Sequence, residues 1–313
     1  MRLSIILPIY NEEENIKKLY EEIKEVLGNL AVSYEIIAIN DGSYDKSYQV
    51  IKEIAQKDNF FRAVSFRKNF GQTAALAAGL EFSKGEIIIP MDADLQNDPA
   101  DIPRLLEKLN EGFDVVSGWR KNRQDKLLTR KIPSWLANYL ISFITGLRLH
   151  DYGCMLKAYK SEVIKDVRLY GEMHRFVPAY VFWHGAKVGE LTVNHRPRIY
   201  GQTKYGLSRS FRVILDLLTV KFLTKYSTRP MHFFGYIGYG LLFLSFLSGL
   251  LAVSLRIFIN LSFISTPLPL LTVFLFLVGL QFILMGLLAE ILIRIYYESP
   301  SRPIYSVKER INF

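Results

Sequence analysis

Asp92-Ala93-Asp94-Leu95-Gln96 brings two carboxylates and an amide oxygen together on a short stretch of chain. These are hard oxygen ligands of the kind that suit magnesium or manganese, and a divalent cation held by them would in turn hold phosphate oxygens. The run before them, Glu86-Ile87-Ile88-Ile89-Pro90-Met91, is short and apolar in the manner of a buried strand, and Asn97-Asp98-Pro99 reads as a turn into a helix. The acids therefore fall at the C-terminal end of a strand, the edge where open α/β sheets bind their ligands. Side chains two apart on a strand point the same way, so Asp92 and Asp94 can converge on one cation. A polar loop that merely caps a helix would look the same in isolation, so the surrounding elements decide between the two.

Those elements alternate. Strand-like runs at Leu3–Ile9, Tyr34–Asn40, Arg62–Phe66, Glu86–Met91 and Asp114–Ser117 are separated by helical periods at Glu12–Leu27, Asp45–Gln56, Thr73–Phe82 and Pro99–Asn110. The alternation predicts an α/β fold, with a mostly parallel sheet and helices on both faces. Asn11 is placed to cap the first helix, and Glu12, Glu13 and Glu14 suit the positive end of its dipole. That acidic turn lacks G-x-G-x-x-G, so a dinucleotide fold is excluded and phosphate must be held elsewhere. Thr73–Phe82 is built largely of alanine and contains Gly79, which predicts a helix lying close against the sheet. Beyond Gly118-Trp119-Arg120, residues 127–147 read as a helix of membrane-interface character or an ordinary core-facing one. Arg175–His184 reads as helical, Lys187–Arg198 as a strand, and Gly201–Gly206, with glycine at both ends, as a mobile loop.

At 313 residues the chain has room for one large domain and an appendage. Residues 231–293 supply the appendage, since 233–255 and 268–289 are uncharged, almost wholly apolar and long enough to cross a bilayer. The basic residues Lys204, Arg209, Arg212, Lys221, Lys225 and Arg229 precede the first span, Arg294, Arg302, Lys308 and Arg310 follow the second, and Ile257–Pro267 carries no acid or base between them. The positive-inside rule then places both termini in the cytosol of a cell (inner or plasma) membrane protein, with 294–313 as a cytosolic tail. The apolar run Leu3–Ile9 is short, carries Pro8 and is followed at once by Asn11-Glu12-Glu13-Glu14, so it is not expected to act as a signal peptide. The amphipathic, basic stretch 207–230 reads as a juxtamembrane helix. A net charge of +9 concentrated there points to anionic membrane lipids rather than nucleic acid. Cys154 is the only cysteine, which excludes an intramolecular disulfide and a thiolate zinc site.

Leu7-Pro8-Ile9-Tyr10-Asn11-Glu12, Asn40-Asp41-Gly42-Ser43, Asn69-Phe70-Gly71 and Asp92–Gln96, in this order and spacing, resemble glycosyltransferase family 2 of GT-A fold. With Gly201-Gln202-Thr203-Lys204-Tyr205 and the two spans, the chain is similar to the family's polyisoprenyl-phosphate branch, which includes dolichol-phosphate mannose synthase and bacterial undecaprenyl-phosphate sugar transferases. The resemblance makes 1–206 a cytosolic GT-A domain. It implies inverting transfer of a sugar from a nucleotide-diphosphate donor (a UDP-sugar in preference to GDP-mannose) to the phosphate of a membrane polyprenol. It also implies a magnesium or manganese cofactor and a homo-oligomer, commonly a tetramer. Carried over by position, Pro8, Tyr10, Glu12 and Asp41 line the nucleoside pocket and Asp92 lies near the diphosphate. Asp94 and Gln96 ligate the metal with Asp92, Arg120 and Arg130 meet phosphate, and Lys204 lies in a loop that closes over the site. Asp151 and Gln202 would contact sugar or acceptor. The segment His150-Asp151-Tyr152-Gly153-Cys154-Met155-Leu156 departs from many relatives and is closer to bacterial transferases of 4-deoxy-4-formamido-L-arabinose to undecaprenyl phosphate. A role that relatives give to an Asp at the Cys154 position therefore does not carry over. The competing class is a catalytically dead membrane scaffold or flippase component that retains a GT-A domain.

Overall fold

The computed structural model describes residues 2–30, 32–121, 132–165, 167, 169, 173–197, 230–298 and 303–313. It divides into an α/β unit and a helical hairpin. In the α/β unit, strands β1 (Arg2–Ile9), β2 (Ser33–Asn40), β3 (Phe61–Phe66) and β4 (Ile87–Pro90) run parallel, in the spatial order β4-β1-β2-β3. Helices α1 (Ile16–Gly28), α2 (Ser47–Ala55), α3 (Gln72–Phe82) and α4 (Ile102–Asn110) connect these strands or come after them. Apolar side chains lie on both faces of the central strands, as a doubly covered sheet requires. Leu3, Ile5, Leu7, Ile36 and Ala38 pack under α1, α2 and α4, whereas Ile6, Ile37, Ile39 and Val64 pack under α3 on the opposite face.

The predicted close approach of α3 is present. A methyl group on Gly79 would stand 2.3 Å from Cγ2 of Ile6, so only glycine lets this helix sit at its distance from β1. The predicted capping of α1 by Asn11 is corrected. The helix starts at Ile16, and Asn11 takes a left-handed conformation with φ of 53°. Its backbone N–H donates to Ser43 Oγ (3.0 Å) and its side-chain oxygen accepts from the Tyr44 N–H (3.0 Å). Binding the loop after β2 displaces the capping role.

Beyond β4 the sheet becomes mixed. Strand β5 (Val115–Trp119) is joined to β4 through the antiparallel β6 (Lys157–Lys160), and β7 (Val188–Thr192) runs parallel to β5 at the edge. Helices α5 (Ile132–Thr145), α6 (Ser161–Ile164) and α7 (Val177–Trp183) accompany these strands, with Ile141, Ile164 and Val177 buried in the α3-side core. The strand predicted over Lys187–Arg198 ends at Thr192. Past that residue the pairing continues, among the described residues, as an isolated bridge between His195 and Asn97.

The stretch 294–313, read from the sequence as a cytosolic tail, contains a strand. β8 (Val307–Ile311) pairs antiparallel with β3 and completes the order β7-β5-β6-β4-β1-β2-β3-β8. Tyr305 stacks on Phe66 (centroids 4.9 Å, 17° between planes) and its hydroxyl donates to Glu81. The Asn312 side chain donates to the carbonyls of Ala55 (2.7 Å) and Phe61 (2.9 Å), and Arg62 lies 4.0 Å over the Phe313 ring. An edge strand with the sequence Val-Lys-Glu-Arg-Ile hides from a hydrophobic reading because its charges guard the open side against further pairing.

The hairpin consists of α8 (Pro230–Ile259) and α9 (Leu268–Glu298). Residues 230–259 and 268–292 have mean hydropathies of 2.2 and 2.5 and are long enough to span a membrane. Close approach and polar contacts join the two helices: a methyl group on Gly238 would stand 2.8 Å from the Gly279 carbonyl oxygen, and Ser245 Oγ donates to the Thr272 carbonyl at 2.8 Å.

Candidate active site

Because β1, β2, β3 and β4 are parallel, their C-terminal ends share one edge, and every motif singled out in the first half of the chain lies there. Residues 10–12 follow β1, Asp41 follows β2, Asn69-Phe70-Gly71 follows β3 and Asp92–Gln96 follows β4. Arg120 follows β5 and Asp151 precedes the antiparallel β6, so they reach the same edge from the neighbouring strands.

After β4 the chain makes a tight turn in which Leu95, fully buried, takes φ of 61°. A leucine in this region costs on the order of 1 kcal/mol or more, and such strain persists where surrounding contacts over-determine it. Those contacts are present. The Gln96 N–H donates to Asp94 Oδ1 (3.2 Å), the Asp92 N–H donates to Asn97 Oδ1 (3.2 Å), and the Arg196 N–H donates to the Gln96 carbonyl (3.0 Å). Asp98 takes the Arg196 guanidinium on both oxygens (2.6 and 3.2 Å) and the Asn194 amide (2.9 Å). The 194–196 segment thus clamps the acidic turn from outside. Arg196 and Asn194 went unremarked in the sequence because their partners lie nearly a hundred positions away.

Asp92 is held from α3, where Gln72 Nε2 donates to its Oδ1 at 2.7 Å. Burial, and then the charge of Asp94, push the Asp92 carboxyl up to about 7, against the opposing pull of Arg120, Lys157 and the Gln72 hydrogen bond. A carboxyl that burial and a neighbouring carboxylate hold back from ionising fits a divalent cation, whose charge would relieve it. Among the described residues no group of three His, Cys, Asp or Glu could hold a metal. What the turn after β4 offers a cation is two carboxylates and, from Gln96, an amide. A set this sparse suits magnesium or manganese, which complete their shells with water and substrate phosphate.

Arg120 does not project freely. Its Nε and Nη2 grip Asp151 in a fork (2.7 and 3.0 Å), and Asp151 Oδ1 also accepts from the Gly153 N–H at 3.0 Å. Burial opposes the charge on Arg120, but Asp151 more than restores it, so the guanidinium stays ionised. Asp151 orients Arg120, and among the described residues the fork engages Nε and Nη2. Behind this pair, Lys157 is fully buried and donates to the carbonyls of Tyr152 (3.3 Å) and Cys154. Burial pulls its ammonium down. Cys154 itself is fully buried, burial raises its thiol, and its S–H points to the Leu156 carbonyl at 3.7 Å. His174 lies under α3, with Nδ1 2.8 Å from Thr73 Oγ1; burial drives its pKa down to about 3, so it is a neutral prop for the helix that carries Gln72.

Asp41 accepts from the backbone N–H groups of Phe70 (2.7 Å) and Gly71 (2.9 Å) and from the Asn69 amide (3.0 Å). Burial nevertheless pushes its carboxyl up to about 6. The aspartate therefore fastens the loop after β3 to the end of β2. Nearby, Pro8, Tyr10 and Glu12 are half-buried. The Glu12 N–H donates to Ser47 Oγ (2.8 Å), and the Tyr10 ring meets Tyr44 edge-on at 6.0 Å. Arg130, Gln202 and Lys204 lie outside the described residues.

A mostly parallel sheet that carries an Asp-x-Asp turn at the C-terminal end of β4 defines a GT-A-like domain. Residues 4–168 match the model of glycosyl transferase family 2, and the chain belongs to that family. It is 45% identical to the dodecaprenyl-phosphate galacturonate synthase of Rhizobium johnstonii, over 99% of this chain and 93% of that protein. It is 35% identical to the undecaprenyl-phosphate 4-deoxy-4-formamido-L-arabinose transferase of Shewanella sediminis, over 98% and 92%. In fold it resembles glucosyl-3-phosphoglycerate synthase from Mycobacterium tuberculosis, solved with Mn2+, UDP-glucose and phosphoglyceric acid. That likeness has a TM-score of 0.55 at 19% identity and covers 70% of this chain and 79% of that one.

Proposed function

We propose that this protein transfers a sugar, with inversion, from a nucleoside-diphosphate donor to the phosphate of a membrane polyprenol. The observation that carries the reading is the convergence of Asp92, Asp94 and the Asp151-oriented Arg120 at one sheet edge, in a chain that also holds two spans of membrane length. Its near full-length similarity to polyprenyl-phosphate sugar transferases supports the acceptor class. A uronic acid donor such as a UDP-galacturonate has the first claim among the sugars, by similarity to the Rhizobium synthase.

In this reading Pro8, Tyr10, Glu12 and Asp41 border the nucleoside, with Asp41 acting chiefly by fixing the loop 69–71 against which the base would rest. Asp92, Asp94 and Gln96 hold the divalent cation. That cation, when bound, supplies neutralisation of the charge that develops on the leaving diphosphate. Arg120 presents its remaining donors to phosphate in the planar geometry that suits guanidinium. Arg130 and Lys204 are assigned to phosphate by resemblance, and Gln202 to sugar or acceptor. The attacking phosphate oxygen is already anionic near neutral pH, so these residues need only align it with the anomeric carbon and no general base is called for.

Connectivity supports the membrane arrangement. The chain leaves the α/β unit ahead of α8 and returns after α9 to lay β8 on the same sheet, so both ends of the hairpin belong on one side of the bilayer. The basic flanks make that side the cytosol of an inner-membrane protein in contact with anionic lipids. A homo-oligomer, commonly a tetramer, belongs to the same reading.

The test is a transfer assay on the purified full chain with undecaprenyl phosphate, magnesium or manganese, and labelled UDP-galacturonate, UDP-glucose, UDP-4-deoxy-4-formamido-L-arabinose and GDP-mannose. Metal-dependent movement of label into the organic phase from one donor is the expected outcome. Absence of both transfer and metal-dependent nucleotide binding would leave the dead-scaffold alternative standing.

A further inference from the structure

Helix α9 packs on α8 through one face, on which Thr272, Gly279 and Gly286 recur every seven residues. Gln281 stands nine residues from Thr272, which at 100° per residue turns it half a revolution away from that seam. It is exposed, and it lies one residue from Leu280, the centre of the Leu268–Leu292 span. No hydrogen bond to its side chain is present among the described residues. A primary amide with two donors and an acceptor would therefore face hydrocarbon at mid-depth, where an unpaired polar group is costly.

The residues around it are large, apolar and exposed. Leu270, Leu277 and Leu284 form one seven-residue row and Phe274, Gln281 and Leu288 form the adjacent one. The five apolar members are all more than half exposed, from 56% to 77%. Two rows of large side chains at heptad spacing, with one amide among them, are the pattern of a coiled-coil seam in which a polar residue sets register. An amide side chain is complementary to itself, because each copy can donate N–H to the carbonyl oxygen of the other. A second copy of this chain is therefore the partner that satisfies Gln281 without introducing any other group.

We propose that the face of α9 bearing Gln281 is where copies of this chain associate within the membrane, their Gln281 amides hydrogen-bonded to one another. The proposal rests on reading α8 and α9 as membrane spans, and the experiment separates the two. Cysteines are placed singly in the full chain on the seam (Leu277→Cys, Leu284→Cys) and off it (Phe276→Cys, Leu287→Cys), at positions that are all exposed. The native Cys154 is buried and stays in place. After oxidation in membranes, the seam variants should form disulfide-linked dimers and the off-seam variants should not. Gln281→Leu, with the seam cysteines retained, should weaken association by roughly threefold to twentyfold in a detergent dilution series, the range interhelical amide contacts span, whereas Gln281→Asn should retain more of it. Equal cross-linking on and off the seam overturns the proposal, as does association unaffected by Gln281→Leu or a chain that stays monomeric with this face open to lipid. Release of the protein from membranes by alkaline carbonate would instead overturn the reading of the spans.

Discussion

The aspartates after β4 are the residues on which turnover should depend most directly. Replacing Asp94 with alanine removes one carboxylate from a set that contains only two, and transfer should fall by on the order of a thousandfold, several kcal/mol of lost charge stabilisation. The fold and membrane insertion should survive, because the Asp98–Arg196 and Asp92–Asn97 contacts that hold the turn are left in place; circular dichroism and carbonate extraction would check this. Unchanged turnover would refute the metal assignment. Gln72→Ala probes a subtler effect. The donor that fixes Asp92 would be lost, and kcat should drop about tenfold, the worth of a hydrogen bond to a charged group, while the melting temperature scarcely moves. The acids, Arg120 and Asp41 could be read from the sequence because each closes a strand within a compact local motif. Gln72, Lys157, His174 and Arg196 could not. Each acts through a partner that only the folded sheet brings near, and nothing in the neighbouring residues marks a glutamine at a helix start as the holder of an acid twenty positions on.

At the scale of elements, the strands and helices of the first half were legible because their apolar periods are strict and both faces of the sheet are covered. β6 was missed because Lys157-Ala158-Tyr159-Lys160 is too short and too polar to show a period, and β8 because an edge strand needs only one apolar face. Asn11 misled for a different reason: a good capping residue was claimed by a tertiary contact with the loop at Ser43 and Tyr44. The attachment of β8 can be tested through Tyr305. Tyr305→Ala removes the stack on Phe66 and the hydrogen bond to Glu81, and should cost about 2–4 kcal/mol, read as a lower denaturation midpoint of the α/β unit. A midpoint within about 0.5 kcal/mol of the parent would mean that the strand adds little to the sheet.

For the whole molecule, Asp41 and Asp92, whose carboxyls burial raises, favour the folded state as pH falls from 7 towards 4, and an acid-sensitive contribution of opposite sign comes from Glu35. Glu35 is buried between β1 and β3, where burial pushes its carboxyl up. Hydrogen bonds from Ser4 Oγ (2.7 Å), the Lys84 N–H (2.6 Å) and Arg62, with the Arg62 charge, outweigh burial and hold it below the usual range. A carboxyl depressed in the folded state contributes stability that is complete above its unfolded pKa, about 4.3, and is lost as pH falls below that value. Asp98, where burial is likewise outweighed by the Asn194, Ala100 and Arg196 contacts, adds to the same limb. Glu35→Gln should therefore destabilise the protein near pH 7 by about 3 kcal/mol, because Arg62 is left buried without its counter-charge. The gap from the parent should narrow below about pH 4. Parallel unfolding curves across that range would show that Glu35 does not carry the acid response.

The place of β8 in the chain also sets an order of events during synthesis. Every residue of β3 is buried in the finished sheet, and its outer edge is covered by a strand made only after both apolar helices have left the ribosome. Until then the sheet ends in an open row of backbone donors and acceptors, the kind of edge that recruits foreign strands. The strand that closes the sheet is thus translated after the hairpin, and a chain stalled or cut within the hairpin would present an unfinished, aggregation-prone domain. Completion of the α/β fold in this protein reports that the apolar hairpin has already been made.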